Sequence, residues 1–360
     1  MGERRRLLLR TVPFLVVGIL VFVAYLVLFV DIHEMIGVIQ GADLLIYALA
    51  ALALVLETSF FTLTWQYLLI PLSVRVPLRR IFAYVWAGAF ADLLIPAESV
   101  SGELAKVYLM SKEPDANPGR VIASLVSQRI LGTVTTIVTL FTGLLLLLWL
   151  NYAVTEWMLQ ILLLMTAVSA VAFTFLVAIC VKEEWTERLV NALMRLAERI
   201  SRGRFRRENS QMKIMNALRA FYTSLKTLSS NPTKLILPVF FYVFSWFSSI
   251  AITFLVFMSV GYWESSVTVL FLKVVIVCAL MVSIKSIPIG VPAEVGLPDI
   301  IMTTLFILFA IPPDISAAAT VLTRILTVWL RFLIGFIAVQ WVGIKGLVES
   351  GAFGRPKDKI

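Results

Sequence analysis

The sequence predicts an all-α polytopic membrane protein, with six full spans and two broken or re-entrant hairpins arranged as an inverted repeat. Three observations predict this fold class. Of the 360 residues, 60% are hydrophobic and only 15% are charged, whereas a soluble domain carries about a quarter charged residues. Six apolar runs reach the roughly 20 residues that cross a bilayer. Two more apolar runs are interrupted by prolines, glycines and acids.

The elements are arranged in order along a single membrane domain, residues 1–360. The full spans are predicted at 11–30, 44–71, 120–150, 156–181, 235–259 and 314–344. The broken hairpins are predicted at 81–111 and 265–311. The first apolar run comes after a basic start, but it is longer than a signal-peptide core and has no small-residue cleavage site after it. It is therefore predicted to be a retained span.

The basic residues fall on alternate sides of these spans. The opposite loops, 31–42, 151–155, 260–264 and 312–314, contain no lysine or arginine. By the positive-inside rule this asymmetry predicts that both termini are cytoplasmic, including a tail at 345–360, in a cell membrane. The predicted orientation requires each broken hairpin to return to the side that it entered.

The two broken hairpins contain the same tripeptide. Pro96-Ala97-Glu98 recurs as Pro292-Ala293-Glu294, and an arginine comes after each glutamate at a distance of 31 and 30 residues, at Arg129 and Arg324. The first repeat is predicted at 44–150 and the second at 235–344, with opposite topologies. Inverted repeats with broken helices are typical of transporters, whose substrates bind between the repeats. A duplicated scaffold whose hairpins merely pack is the alternative.

Charged residues inside a membrane are functional candidates because they are costly to bury. An arginine binds phosphate or carboxylate through two parallel hydrogen bonds, and the N–H groups that begin the second half-helix of each hairpin also favour an anion. Mutual neutralisation of acids and arginines is the alternative. The candidate substrate-binding residues are Arg129, Arg324, Glu98, Glu103, Lys106, Glu294 and Asp299. The residues that break and turn the hairpin backbones are Pro96, Gly102, Pro288, Gly290, Pro292 and Gly296.

Two further acids, Glu57 and Asp92, are candidates for ion coupling. Glu57 stands alone in the middle of its span, where a structural, hydrogen-bonded carboxyl is an equal alternative. The only histidine, His33, lies in a predicted loop, which argues against a histidine-based metal site. We expect no metal and no cofactor.

The polar segment at 182–233 predicts two amphipathic helices on an anionic inner leaflet. Trp185, Leu189, Leu193, Leu196 and Ile200 form the apolar face of the first; Ile214, Leu218, Phe221, Leu225 and Leu228 form that of the second. The basic residues between them are Arg202, Arg204, Arg206 and Arg207. Their position beside spans favours lipid headgroups over nucleic acid, and a simple positive-inside anchor is the alternative.

These motifs resemble the flippase-like membrane family related to the transmembrane region of lysylphosphatidylglycerol synthases, the multiple peptide resistance factors. The resemblance covers about residues 10–345. The matching residues of the first motif are Pro96, Gly102, Glu103, Lys106 and, in the next span, Arg129. Those of the second are Pro292, Gly296 and Asp299, with the run Arg324–Thr327 and Gly335 further along. Ala293-Glu294 replaces the family's glycine pair, and Asp299 replaces a glutamate.

The resemblance implies lipid translocation, as a flippase or scramblase, of a phospholipid or of a polyprenyl- or glycolipid-linked headgroup through a polar seam between the repeats. The aminoacyltransferase domain of the synthases is missing, so we expect a transporter and not an enzyme, with membrane lipids as partners. An ion-coupled carrier of a small solute and an accessory protein or transferase of a glycolipid pathway are the alternatives. The sequence is compatible with an oligomer.

Overall fold

The computed structural model describes residues 20–94, 100–149, 156–182, 207–263, 266–285 and 296–349, which form helices and short connections without any strand. In the first half the helices are α1 (Leu20–Phe29), α2 (Ile32–Gln40), α3 (Leu44–Leu69), α4 (Leu78–Leu94), α5 (Val100–Met110), α6 (Pro118–Trp149) and α7 (Glu156–Val181). In the second half they are α8 (Arg207–Ser229), α9 (Ile236–Ser259), α10 (Val267–Lys285), α11 (Leu297–Leu308), α12 (Pro313–Arg324) and α13 (Arg331–Glu349).

Six stretches of the described residues are long and apolar enough to cross a membrane. They are Leu44–Leu72, Pro118–Trp149, Met158–Val181, Pro232–Ser259, Val267–Lys285 and Pro313–Gly343. Five of them correspond to full spans predicted from the sequence. The sixth, α10, is the first arm of the second broken hairpin. Its partner α11 has 12 residues, about 18 Å of helix, which is too short for a hydrocarbon core of about 30 Å.

The predicted first span lies only partly within the described residues, and the segment after it differs from the prediction. Residues 31–42 are not a loop: α2 occupies most of them and bends by 103° from α1. The side chain of Asp31 begins α2 by accepting hydrogen bonds from the N–H groups of His33 and Glu34 at 2.9 and 3.1 Å. This N-cap explains why the short segment is helical there, and it places His33 in a helix.

The bundle is built on close contacts between helices that are distant in sequence. Helix α3 packs against α9, α4 against α13, and α6 against α10. Apolar burial alone does not drive helices together in lipid, so small residues that permit close approach are important. A Cβ atom at Gly335 of α13 would lie 2.8 Å from the Cβ of Phe90 in α4, and one at Gly143 of α6 would lie 2.8 Å from Cγ1 of Ile276 in α10.

The two helices of the first broken hairpin also meet at glycines. A Cβ atom at Gly102 would lie 2.6 Å from the carbonyl oxygen of Gly88 and would collide with the carboxylate of Asp92. Glycine at position 102 therefore sets the close approach of α5 to α4.

The second amphipathic helix of the polar segment is present as α8, and much of its apolar face packs on the protein. Leu218 and Phe221 are buried against Ala123 of α6, and Leu228 is buried in a cluster with residues of α3, α4 and α6. The backbone of α8 approaches α6 at Gly119, where a Cβ atom would collide with the carbonyl of Ala217. The sequence shows an apolar face but not what covers it.

The last span contains a six-residue π-helix, Ile325–Leu330, between α12 and α13. Such segments are rare and frequently occur at functional sites. Here the π-helix lies between Arg324 and Arg331. Because its turns are wider than those of an α-helix, the angle about the helix axis between these two arginines differs from that in a regular α-helix.

Candidate functional site

A cavity of about 360 Å³ lies inside the bundle, between α3, α4, α6, α9, α10 and the last span. We call it the charged cavity. The charged residues that line it are Glu57, Asp92, Arg129, Lys285, Arg324 and Arg331. With Asp299, which pairs with Arg324 behind this lining, four cations face three carboxylates, an excess of one positive charge. An apolar protein thus gathers charges from four helices and the last span at one place.

Arg324 is held by an acid of the second broken hairpin. Its Nε lies 2.6 Å from Oδ1 of Asp299, and both residues are buried. Asp299 also accepts a hydrogen bond from the N–H of Gly296 at 2.6 Å. Gly296 has a φ of 98°, a conformation that side chains disfavour, so glycine is required at the start of α11. The sequence leaves open whether acids and arginines neutralise each other, and such a pair forms between Asp299 and Arg324.

A second ion pair corrects the interpretation of Glu57. Glu57 is the one charged residue of α3, but it has a partner on another helix: Arg331 donates a hydrogen bond from Nη2 to its Oε2 at 2.9 Å. Thr58 donates to the same oxygen at 3.0 Å. The pair joins α3 to α13 across the charged cavity, so Arg331 points into the protein instead of reaching towards a membrane interface. Whether Glu57 couples transport to an ion stays a prediction.

Arg129 differs from the other two arginines of the charged cavity. Its side chain is exposed, and within the part of the chain that the structure describes its guanidinium forms no ion pair or hydrogen bond. Arg129 and Arg324 are each eleven residues after the proline that begins their helix, Pro118 and Pro313. A guanidinium that has no partner among the described residues and lies beside a cavity of positive charge is suited to bind an anionic ligand.

The starts of the two half-helices are not open to a ligand in the way that the sequence suggests. Asp92 of α4 accepts hydrogen bonds from the N–H of Gly102 at 2.6 Å and from the hydroxyl of Ser101 at 2.9 Å. Asp299 has the corresponding role at Gly296. The protein's own carboxylates therefore occupy these positively polarised ends.

A second cavity of about 390 Å³ contains two more of the predicted residues, Glu103 and Lys106. Lys106 is buried, and its ammonium group lies 5.5 Å from the ring centre of Phe61 and 5.7 Å from that of Trp65. These distances are typical of cation–π contacts. The first hairpin thus contributes Asp92 to the lining of the charged cavity, and Glu103 and Lys106 to that of the second cavity.

Several predicted residues lie outside the described part of the chain. They are Pro96, Glu98, Pro288, Gly290, Pro292 and Glu294 of the hairpins, and Arg202, Arg204 and Arg206 of the polar segment. Arg207 is the first residue of α8. Among the described residues, no three histidine, cysteine or acidic side chains come together as metal ligands.

The sequence interpretation misses Tyr242 and Lys285 as site residues. Tyr242 lines both cavities, and Lys285 lines the charged one. Tyr242 is the one tyrosine in the aromatic run FFYVFSWF of α9, and it brings the run's only phenol hydroxyl. That contrast with the neighbouring phenylalanines is a signal available in the sequence.

Apolar helices that enclose a charged cavity define a polytopic, all-α integral membrane protein. Within this class the chain belongs to the family of the lysylphosphatidylglycerol synthase transmembrane region. The sequence model of that family matches residues 15–335. The resemblance read from the motifs is therefore confirmed over nearly the whole chain.

Several archaeal proteins are similar to this chain over most of their length. UPF0104 membrane protein PH1989 of Pyrococcus horikoshii is 21% identical over 332 residues, which cover 90% of this chain and 95% of that protein. A UPF0104 membrane protein of Methanothermobacter thermautotrophicus is 23% identical, with 91% and 94% covered. UPF0104 membrane protein MJ1595 of Methanocaldococcus jannaschii is 23% identical, with 88% and 91% covered.

Proposed function

We propose that this protein translocates a membrane lipid by accepting its anionic headgroup in the charged cavity while the acyl chains stay in the bilayer. The observation that carries the proposal is Arg129: an exposed guanidinium without a partner among the described residues, in a cavity with an excess of positive charge. Intramembrane cations are costly unless they are paired or serve a ligand.

The size of the charged cavity supports a headgroup as the ligand. Its volume of about 360 Å³ lies near the lower end of the range for small-molecule sites. It suits a polar group of modest size but not a complete two-chain lipid. The excess positive charge favours a phosphate or another anionic group, and it disfavours a cationic solute.

The packing of the helices supports two inverted repeats with the cavity between them. The proposed equivalents are α3 and α9, α4 and α10, α5 and α11, and α6 and the last span. Helices α3 and α9 pack on each other, and the contact of α4 with α13 has its counterpart in that of α10 with α6. Both of these contacts include a close approach at a glycine. It is Gly335 in the contact of α13 with α4, and Gly143 in the contact of α6 with α10. Such reciprocity is expected of a two-fold relation.

The proposal extends to orientation and to the polar segment. The distribution of lysine and arginine supports a cytoplasmic position for both termini, with the spans in the cell membrane. The basic residues Arg202, Arg204, Arg206 and Arg207 then face the anionic inner leaflet, where each contributes about 1 kcal/mol of attraction. The proposed activity is transport without a chemical step.

Reconstitution tests the function directly. The purified full chain is inserted into liposomes that contain a trace of a headgroup-labelled lipid, and the labelled lipid that reaches the other leaflet is measured by chemical quenching. We expect faster exchange than in empty liposomes for anionic phospholipids, and less for zwitterionic ones. Exchange no faster than in empty liposomes, over phospholipids and polyprenyl phosphates, would contradict the proposal.

The ion-coupled carrier is distinguished in the same liposomes. Imposed proton or sodium gradients are compared with equal ion concentrations on both sides. Lipid exchange without a gradient supports the flippase or scramblase, whereas uptake of a soluble anion that requires a gradient supports the carrier, with Glu57 and Asp92 as its coupling candidates.

A further inference from the structure

The charged cavity and the second cavity meet at four residues, Phe61, Arg129, Tyr242 and Val282, which line both. They come from four different helices, α3, α6, α9 and α10. Any group that passes between the two cavities must pass this junction.

Tyr242 reaches across the junction from α9 to α6. Its ring centre lies 6.5 Å from that of Phe61, with an angle of 54° between the rings. Its hydroxyl lies over Gly132, where a Cβ atom would be only 2.6 Å from the phenol oxygen. Gly132 is three residues after Arg129 on α6, so the phenol and the guanidinium are presented on one face of that helix.

The hydroxyl of Tyr242 has no hydrogen-bond partner among the described residues. The same holds for the guanidinium beside it. A phenol donates one hydrogen bond and a guanidinium as many as five. Both therefore offer donors to a single anion located at the junction.

Cations stand on both sides of the junction. Lys285, Arg324 and Arg331 line the charged cavity, and Lys106 lines the second cavity. Acids accompany these cations, Glu57 and Asp92 in the charged cavity and Glu103 in the second, so a phosphate on either side finds a cation within mixed charge.

We infer that Tyr242 and Arg129 form a phosphate-binding station between the two cavities, in which Tyr242 both narrows the passage and donates a hydrogen bond to the phosphate. This inference rests on the proposed function for its ligand, and it adds a residue, Tyr242, and a second cavity to the path.

Binding to the full chain in detergent tests the station without any transport. The probes are a short-chain, water-soluble phosphatidylglycerol and inorganic phosphate, each titrated calorimetrically. Tyr242→Phe keeps the ring and removes the hydroxyl, and we expect about tenfold weaker binding or more, as for a lost hydrogen bond to a charged group. Gly132→Ala displaces the hydroxyl and is expected to weaken binding in the same direction.

Matched controls lie outside both cavities. Tyr67→Phe removes a hydroxyl from a ring that stacks on Phe241 at 5.3 Å, and Gly343→Ala adds a methyl group where no other atom lies within 4 Å. Both should bind like the wild type. Melting temperatures close to that of the wild type establish that the variants are folded.

The outcomes separate the station from the proposed function. If the wild type binds the lipid more strongly than phosphate, the ligand of the station is a headgroup. If it binds the lipid equally or more weakly, the ligand is free phosphate. Either result supports the station, provided that Tyr242→Phe weakens the binding. Unchanged binding in Tyr242→Phe, or no binding of either probe by folded wild-type protein, overturns the station. Binding that depends on Tyr242 without any lipid exchange overturns translocation alone.

Discussion

Asp299 and Arg324 form a more deeply buried ion pair beside the charged cavity than Glu57 and Arg331 do. Their side chains are 4% and 10% exposed, against 17% and 29% for Glu57 and Arg331. The first pair lies between two residues of the same predicted repeat, both of them candidates from the sequence. The second joins residues 274 positions apart, and no local pattern in a single sequence indicates such a contact.

The difference in burial predicts a difference in stability. Asp299→Asn removes the carboxylate that lies against buried Arg324, and breaking a buried ion pair costs about 3 to 5 kcal/mol. Glu57→Gln leaves a more exposed cation and should cost less. Thermal unfolding of both variants in the same detergent measures the difference. If Glu57→Gln lowers the melting temperature as much as Asp299→Asn or more, the difference in burial between the two ion pairs does not set their contribution to stability.

The long helices of this protein can be predicted from its apolar runs, whereas its short helices depend on individual hydrogen bonds and on packing. Apolar runs of span length predict α3, α6, α7, α9 and the last span. Helix α2 depends on the Asp31 cap, and the π-helix at Ile325–Leu330 has no evident signal in its apolar sequence. That α8 packs on α6 is a tertiary contact, which the sequence of α8 alone does not indicate. The hairpin turn at Gly296 is anticipated because glycine and proline have defined backbone preferences.

The contact between α4 and α5 predicts a strong effect of one methyl group. Gly102→Ala places a Cβ atom against the carbonyl of Gly88 and the carboxylate of Asp92, so the hairpin must open or Asp92 must leave the start of α5. We expect a loss of about 1 to 3 kcal/mol, as for overpacking. Gly37→Ala, with no atom within 4 Å, is the control. Equal melting temperatures for the two variants would refute the contact.

The packing of α8 on α6 predicts that its apolar face stabilises the protein in the absence of lipid. Phe221 is 7% exposed and contacts the α6 side of the cluster, so Phe221→Ala should cost about 3 to 5 kcal/mol. Arg219→Ala, a change on the same helix outside that cluster, is the control. If α8 lay on lipid instead, Phe221→Ala would melt like Arg219→Ala in detergent while its binding to anionic vesicles fell.

At the scale of the whole molecule, the sequence indicates the membrane class, the family and the internal tripeptide repeat. It does not indicate the two cavities, because these arise where several helices meet. Of the predicted site residues that the structure describes, four line the charged cavity, Glu57, Asp92, Arg129 and Arg324, while Glu103 and Lys106 line the neighbouring one. Tyr242 joins them, a residue whose importance depends on where α9 meets α6.

Orientation is a second property of the whole molecule. The charge pattern predicts that the N-terminus, the loop with Arg75 and Arg79, α8 and the C-terminus share the cytoplasmic side. Single cysteines at these positions, in a chain without Cys180 and Cys278, should be protected from an impermeant thiol reagent in intact cells. A cysteine at Gly41 should react. Labelling of the N-terminus and the loop from opposite sides would contradict this orientation.

We propose that Arg129 receives an anionic headgroup inside the membrane. The most direct measurement compares the rate of anionic lipid exchange in liposomes for wild type, Arg129→Ala and Arg79→Ala, at equal amounts of folded protein. Arg79 is an exposed arginine outside both cavities. We predict that Arg129→Ala reduces the rate to that of empty liposomes and that Arg79→Ala retains the wild-type rate. Full exchange in Arg129→Ala would contradict the claim.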